Sequence, residues 1–205
     1  MIETLEEFNA RRLGRVGASR IADIMAKGRG GDSSASRKNY MAELLCERLT
    51  GVHAESFTSP AIQWGIDHED EARCAYEMET GNSIIQCAGF SHPTIPMAGA
   101  SPDGLIGDDG VLEIKCPNTA THLDFLDTGK PDKRYQWQMV WQIRCSGRLW
   151  ADFVSFDPRL PDELAFKVVR FLPTNDMLAE AEGEVILFIS ELDALERRMR
   201  ERMTR

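Results

Sequence analysis

The chain has 205 residues, 42% of them hydrophobic, which supplies one α/β or α+β core and does not require a second domain. No stretch approaches the roughly 20 apolar residues of a membrane span, and the acidic N-terminus MIETLEEFNA is unlike a secretory signal, so we expect a soluble cytoplasmic protein. A net charge of −9 argues against a broad basic face for nucleic acid.

The first predicted elements lie in a basic segment, residues 11–40. This segment carries eight basic and two acidic residues, a net +6 that leaves −15 for the rest of the chain. Ser19 is placed to cap a short helix, a Gly/Ser-rich loop with Arg29 follows, and Ser36 is placed to cap a helix that stops at Gly51. The charge fits an enclosed or narrow path for a phosphate backbone, and it fits a solvated pair of basic helices equally well.

Helical and extended patterns alternate in the rest of the chain. Ser59 and Pro60 open a helix that runs to Gly81, and residues 83–115 are typical of short strands in a small mixed sheet. The later elements are helices near 119–128 and in RYQWQMVWQIRCSG, strands in LWADFVSF and LAFKVVRF, and a final helix from Thr174. This order predicts one domain with a mixed α+β core and helices on both sides, organised as a basic N-terminal part 11–40, a core 59–172 and a C-terminal helix 174–205.

The cysteines do not form a recognisable framework. They are odd in number, widely spaced and never in a CxxC pair, which argues against disulfides, a zinc knuckle and an iron–sulfur cluster. We expect reduced thiols, mostly in the core, at Cys46, Cys74, Cys87, Cys116 and Cys145.

The segment SPDGLIGDDGVLEIKCP carries the clearest chemical pattern. Asp103 lies on a turn, and strand alternation puts Glu113 and Lys115 on one face with Ile114 pointing into the core. Two carboxylates and the Ile114 carbonyl beside an ammonium would form a hard-cation site with positions left for water and phosphate, as Mg²⁺ prefers. The cation would lower the pKa of a bound water, and Lys115 would orient that water or stabilise developing charge. An exposed hairpin with an ordinary ion pair is the alternative.

Five motifs, in this order and spacing, resemble the lambda-exonuclease or YqaJ-type viral recombinase family of phage alkaline exonucleases: RRLGRVGAS, WGIDHEDEAR, SPDG, LEIKCP and YQWQMVWQ. The resemblance covers residues 10–172. It implies a PD-(D/E)xK, restriction-endonuclease-like core, a central mixed sheet flanked by helices. It also implies an enzyme that uses Mg²⁺, with Mn²⁺ able to substitute and two ions per site, to digest one strand of linear duplex DNA from its 5′ end.

The same resemblance implies how the enzyme is organised and where it works. The family forms a ring-shaped homotrimer around the DNA. Its products are mononucleotides and a 3′ single strand, which passes to a single-strand annealing protein for homologous recombination. We therefore expect a phage or prophage protein acting in the bacterial cytoplasm.

The resemblance further implies roles for residues near the predicted metal site. Asp103 and Glu113 match metal ligands and Lys115 matches the catalytic lysine. Glu69 matches an acidic residue on the other side of the metal. Gln138 matches a glutamine beside the reacting phosphate.

A second group of residues matches the family's DNA contacts. Arg12, Ser19 and Ser101 match a pocket for a terminal 5′-phosphate, which suits a guanidinium with hydroxyl donors. Arg29 matches a loop arginine that contacts DNA ahead of the cut, and Ile62 matches an apolar wedge between the strands.

Each of these residues also has an ordinary structural explanation. Glu69 lies in the acidic run HEDE, typical of a solvated helix face, and three glutamines of the last motif, Gln136, Gln138 and Gln142, would face water. The tryptophans at helical spacing, Trp64, Trp137 and Trp141, are typical of a core. His68 stands where the lambda enzyme has a tyrosine and receives no role.

Two other functions stay open at this point. A PD-(D/E)xK endonuclease, of restriction or junction-resolving type, uses the same chemistry, since the metal site does not determine where cutting occurs. The 5′-phosphate pocket favours the exonuclease. A catalytically inactive DNA-binding module is disfavoured because Asp103, Glu113 and Lys115 are all present.

Overall fold

The computed structural model describes residues 12–28, 33–53 and 59–204. Within those ranges the strands are β1 (Val16–Gly17), β2 (Ile84–Ile85), β3 (Phe90–Ser91), β4 (Ala98–Ala100), β5 (Gly104–Ile106), β6 (Gly110–Lys115), β7 (Trp150–Phe156) and β8 (Phe166–Phe171). The α-helices are α1 (Ile21–Met25), α2 (Ala35–Thr50), α3 (Pro60–Thr80), α4 (Thr119–Thr128), α5 (Lys133–Ser146), α6 (Asp162–Ala165) and α7 (Asn175–Met203), and a 3-10 helix spans Ala18–Arg20. None of the helices described is long and apolar enough to span a membrane.

A five-stranded sheet has β6, the predicted Glu-x-Lys strand, at its centre. The strand order is β2-β5-β6-β7-β8, with β6 antiparallel to β5 and parallel to β7. Because side chains alternate along a strand, α3 packs against Leu112 and Ile114 on one face, while α4 and α5 pack against Val111 and Phe153 on the other. The predicted mixed sheet with helices on both sides is confirmed.

The central strand is buried more completely than an exposed hairpin would be. Residues 110–114 are all buried, because helices cover both faces of a strand that also has a neighbour at each edge. Glu113 is completely buried and, by alternation, shares its face with Lys115, whereas Ile114 packs in the core under α3. An ordinary surface ion pair therefore does not describe Glu113.

The predicted small sheet over 83–115 is divided between two sheets. β3 and β4 form a three-stranded sheet with β1, in the order β1-β4-β3, whereas β2, β5 and β6 belong to the larger sheet. β1 pairs with β4 in parallel, Val16 opposite Ala98. Local sequence cannot show this division, since the partner of β4 lies about 80 residues earlier in the chain.

Two of the predicted helix caps are wrong. Ser34, not Ser36, caps α2, because its Oγ accepts a hydrogen bond from the Arg37 N–H at 3.1 Å. Ser19 lies inside the 3-10 helix and makes no capping bond, and α1 begins after Arg20. The long helix α3 begins after Ser59 and ends at Gly81, as predicted.

The basic segment is partly neutralised by acids of the same chain. Arg20 pairs with Asp23 at 2.6 Å and with Glu43 at 2.8 Å. Arg37 is buried and pairs with Glu191 of α7 at 2.5 Å. The formal +6 therefore overstates the charge that this segment offers to a phosphate backbone.

None of the five cysteines is in a disulfide, as predicted, but their location differs from the prediction. Cys116 and Cys145 are buried, Cys87 is partly buried, and Cys46 and Cys74 are exposed. Core packing therefore accounts for two of the five. The two exposed thiols lie on the outer faces of the amphipathic helices α2 and α3, where a helix leaves every third or fourth side chain in water.

Candidate active site

The site is built where the turn before β5 meets β6. The backbone N–H of Asp103 donates to the Leu112 carbonyl at 3.0 Å, and Asp103 Oδ2 accepts from the Ile114 N–H at 2.6 Å. Both the main chain and the side chain of Asp103 are thus fixed to β6. This arrangement brings its carboxylate to the strand that carries Glu113.

The Glu113 carboxylate is held by two different groups. Its Oε1 contacts the ammonium of Lys115 on the same strand. Its Oε2 accepts a hydrogen bond from Nε2 of Gln142, on α5, at 2.5 Å. The Lys115 ammonium also lies 5.4 Å from the centre of the Tyr135 ring.

Electrostatics at the site favour a bound cation. Burial raises the pKa of Asp103 well above its ordinary value, and repulsion from Glu113 raises it further. Burial by itself would lower the pKa of Lys115, but Glu113 and Asp103 prevail and raise it, so the ammonium stays charged. Two carboxylates that repel each other in a poorly solvated place, beside one lysine, provide the oxygen donors that Mg²⁺ prefers.

Glu69 approaches the site from α3. Its carboxylate pairs with Arg73 one turn later at 2.6 Å, and its charge raises the pKa of both Asp103 and Cys116, after the larger effect of burial. Its charge therefore acts on Asp103 and on the end of β6. In the ranges that the structure describes, no three Asp, Glu, His or Cys side chains converge closely enough to hold a metal ion among them.

A cavity of about 680 Å³ has Asp103 in its wall. Its lining brings together residues that the sequence analysis assigned to two separate roles. Arg12, Ser19 and Ser101, predicted to bind a terminal phosphate, line it together with Asp103 and Gln138, predicted to lie at the reacting phosphate.

The pairing of β1 with β4 explains how distant residues reach this cavity. The Val16 N–H donates to the Met97 carbonyl at 2.9 Å, and the Gly17 N–H donates to the Tyr40 hydroxyl at 3.0 Å. Arg12 and Ser19 flank β1, and Ser101 directly follows β4. The short parallel pair thus places both chain segments at one wall of the cavity.

The other predicted DNA contacts are Ile62 and Arg29, and Ile62 is not among the described residues that line this cavity. Ile62 is 52% exposed in the first turn of α3, and Arg29 lies outside the described residues. His68 stacks on Trp64 with ring centres 3.8 Å apart, and its Nδ1 donates to the Trp64 carbonyl at 2.9 Å. The other two motif tryptophans, Trp137 and Trp141, are in the core as predicted.

Gln142 does not face water, contrary to the ordinary structural explanation of this motif. It is completely buried, and its amide reaches Glu113. A signal in the sequence was its position four residues after Gln138, which places both on one face of α5, within an otherwise apolar stretch. Its partner lies 29 residues away, which no local pattern reveals.

Comparisons with known proteins give one family. Residues 7–149 match the family described as YqaJ-like viral recombinase domain. The chain is 46% identical to an alkaline exonuclease, LHK-Exo from Laribacter hongkongensis, with a TM-score of 0.90 over 97% of this chain and 98% of that chain. For the structure of LHK-Exo in complex with dAMP the identity is 47% and the TM-score 0.91, over the same shares.

A more distant structure shares the fold. The phage-related exonuclease from Haemophilus somnus 129PT is 16% identical, with a TM-score of 0.70 over 90% of this chain and 96% of that chain. No curated protein sequence matches the chain. Because the family match covers more than half of the chain and LHK-Exo is similar along nearly all of it, this protein belongs to the YqaJ-like viral recombinase family.

Proposed function

We propose that this protein is a Mg²⁺-dependent exodeoxyribonuclease, a single nuclease domain that digests one strand of linear duplex DNA from the 5′ end to mononucleotides. The family and the similarity to an alkaline exonuclease support a phage-type nuclease. The observation that carries the proposal is the shared cavity, which is lined both by the candidate phosphate-binding residues and by Asp103, a candidate metal ligand.

The direction of digestion follows from what the cavity would recognise. A terminal phosphate carries more negative charge than an internal one and presents three free oxygens, which suits the guanidinium of Arg12 with the hydroxyls of Ser19 and Ser101. Ser101 lies two residues before Asp103, so a terminus bound there holds the first phosphodiester next to the carboxylates. A nuclease without such a pocket would cut any phosphodiester within reach.

The residues of the site divide the chemical work. Asp103 and Glu113, with the Ile114 carbonyl and Glu69 as further predicted ligands, would hold the metal. Bound Mg²⁺ supplies positive charge at the phosphate and lowers the pKa of water. Lys115, partly buried and charged, would orient the attacking water and offset charge on the phosphate.

Hydrolysis at this position regenerates its own substrate. A P–O bond forms to water, the P–O3′ bond breaks, and the 3′ oxygen of the released nucleotide takes the proton, with the Gln138 amide beside the reacting phosphate. The remaining strand keeps a 5′-phosphate for the next cycle. LHK-Exo has been solved in complex with dAMP, a mononucleotide of the kind that such digestion releases.

Assembly is part of the proposal. An acidic chain with one basic segment binds DNA better from inside a ring, which supports a homotrimer enclosing the duplex, with Ile62 as strand wedge and a single-strand annealing protein receiving the 3′ strand. Light scattering should give a mass near three times the 23.0 kDa of the chain. A strictly monomeric active species would contradict the ring.

Labelled DNA tests the activity. Linear duplex carrying a 5′ label should release labelled mononucleotide in Mg²⁺ and none in EDTA, closed circular duplex should stay intact, and the Asp103→Ala variant should bind DNA without releasing label. Cutting of the circle would favour an endonuclease, and initial release from a 3′ label would reverse the direction. Binding without any release by the wild type would indicate a DNA-binding module.

A further inference from the structure

We propose that Gln142 is a positioning residue, whose buried amide holds the Glu113 carboxylate in the orientation that binds the metal ion. The inference rests on the proposed metal-dependent function. Gln142 would act on the metal only through Glu113. It is the one glutamine of the YQWQMVWQ motif that is completely buried.

The surroundings of Gln142 show that its amide is not a packing element. The residue is 0% exposed on α5, and its neighbours along the helix are buried and apolar, apart from the partly exposed Arg144: Met139, Val140, Trp141, Ile143 and Cys145. An apolar side chain would fill such a position without placing polar atoms in the core. The presence of an amide there therefore calls for a specific partner.

That partner is Glu113 and nothing else in the described part of the chain. Gln142 Nε2 donates to Glu113 Oε2 at 2.5 Å, while Gln142 Oε1 is buried without a hydrogen-bond partner among the described residues. One half of the amide is thus left unsatisfied so that the other half can reach the carboxylate. This pattern serves the orientation of Glu113 at a cost in stability.

Holding both carboxylate oxygens prevents rotation of the group. Lys115 contacts Oε1 from the same strand and Gln142 holds Oε2 from α5. Each carboxylate oxygen has a second lone pair, so an anchored Glu113 still has donors in a fixed direction. Outer-shell partners of this kind orient metal ligands, and their removal costs about 10- to 100-fold in metal affinity or activity.

Gln138 and Gln142 divide two roles on one helix face. They are four residues apart, and therefore neighbours on α5, yet only Gln138 lines the cavity. Gln138 is thus open to substrate, whereas Gln142 lies behind Glu113. Because one rigid helix carries both, the metal ligand and the cavity wall keep a constant separation.

Manganese binding tests the inference without relying on activity. The affinity of the full chain for Mn²⁺ is measured by titration calorimetry and by electron paramagnetic resonance for wild type, Gln142→Met and Gln142→Asn. Met removes the donor and Asn withdraws it by one methylene, so the two variants perturb packing differently but share the loss of the bond to Oε2. The matched control is Gln136→Met on the same helix, because Gln136 donates to the Pro131 carbonyl at 2.8 Å and not to the site.

The expected result is a Kd for Mn²⁺ raised about 10- to 100-fold in both Gln142 variants, with cooperative unfolding retained and Gln136→Met like wild type. Wild-type affinity in either folded Gln142 variant overturns the inference while the proposed function stands. A wild type that binds no Mn²⁺ contradicts the proposed metal-dependent function, and the inference with it. If one Gln142 variant does not fold, the other gives the decisive comparison. A loss of Mn²⁺ affinity in Gln136→Met as large as that in the Gln142 variants would also overturn the role of Gln142.

Discussion

The carboxylate of Glu47 accepts a hydrogen bond from the backbone N–H of Gly14 at 2.7 Å, although 33 residues separate them. The next residue, Arg48, donates from Nε to the Gly14 carbonyl at 2.9 Å. Gly14 has a φ of +66°, a conformation that other residues rarely adopt. The end of α2 therefore holds the N–H and the carbonyl of Gly14, inside a turn that the Arg15 N–H closes by donating to the carbonyl of Arg12, the candidate phosphate ligand, at 3.1 Å.

Glu47→Ala should reduce the preference for a 5′-phosphate more than it reduces cutting itself. The substitution leaves the buried Gly14 N–H unsatisfied, which costs about 1–3 kcal/mol of stability, and it loosens the turn that presents Arg12. The measurement is the ratio of initial rates on 5′-phosphate and 5′-hydroxyl duplexes. Glu47→Gln keeps an acceptor oxygen and should keep most of the ratio. An unchanged ratio in Glu47→Ala would show that the turn does not depend on Glu47.

Arg12→Ala should remove most of the difference between the two kinds of 5′ end. Losing one charge-assisted pair costs about 1.5–3 kcal/mol, or one to two decades in rate if the pair acts in the transition state. Rates on the two duplexes are compared at fixed salt, because general affinity for DNA also depends on salt. Lys27→Ala removes a basic residue that does not line the cavity containing Arg12, and it should lower the rates on both duplexes alike. Equal rates of the wild type on the 5′-phosphate and 5′-hydroxyl duplexes would contradict the proposed 5′-phosphate pocket.

Asp103→Asn should abolish cleavage and yet stabilise the metal-free protein. Burial and Glu113 raise the pKa of Asp103, so a neutral amide at this position relieves the repulsion from Glu113, while its oxygen still accepts from the Ile114 N–H. Mg²⁺ should stabilise the wild type but not the variant, in denaturant unfolding with EDTA or Mg²⁺. Asp108→Asn, on the exposed turn of the same hairpin, should change neither property. If Asp103→Asn were less stable than the wild type in EDTA, repulsion between Asp103 and Glu113 would be contradicted.

Lys115→Met should lower kcat by about 10²–10³-fold with a small change in DNA affinity, because the ammonium acts on charge that develops in the transition state. Single-turnover rates and binding isotherms separate the two effects. The control is Lys167→Met, since Lys167 is exposed on β8, which β7 separates from β6. A loss of affinity with unchanged kcat would make Lys115 a phosphate-positioning residue instead.

Asp157 should make stability depend on acid pH. Burial by itself would raise the pKa of Asp157, but bonds from Arg159, at 2.6 Å from Nε, prevail and lower it to about 2. A lowered pKa stabilises the fold above the unfolded value of about 3.9, and that contribution is lost as the pH falls toward 2. The wild type should therefore have a higher free energy of unfolding than Asp157→Asn at pH 6, and this difference should shrink between pH 4 and pH 2. A difference that does not vary with pH would contradict the assignment.

Local patterns predicted the elements that depend on nearby residues. The helix from Ser59 to Gly81, the strand that carries Glu113 and Lys115, and the burial of Trp141 all follow from caps, turns and side-chain periodicity. The confirmed family resemblance followed from motifs in a fixed order, which one chain displays without any structure. The same local rules failed at Ser19, which lies inside the 3-10 helix, and at Ser36, because Ser34 two residues earlier provides the cap.

The tertiary structure alone decided which distant groups meet. The pairing of Val16 with Ala98, the bond of Glu47 to Gly14 and the bond of Gln142 to Glu113 join residues far apart in the chain. Backbone preferences and hydrophobic periodicity act over a few residues, whereas such contacts depend on how whole elements pack around a common core. For that reason the proposed catalytic residues Asp103, Glu113 and Lys115 were visible as a motif, while the groups that hold them in place became visible only once the chain was folded.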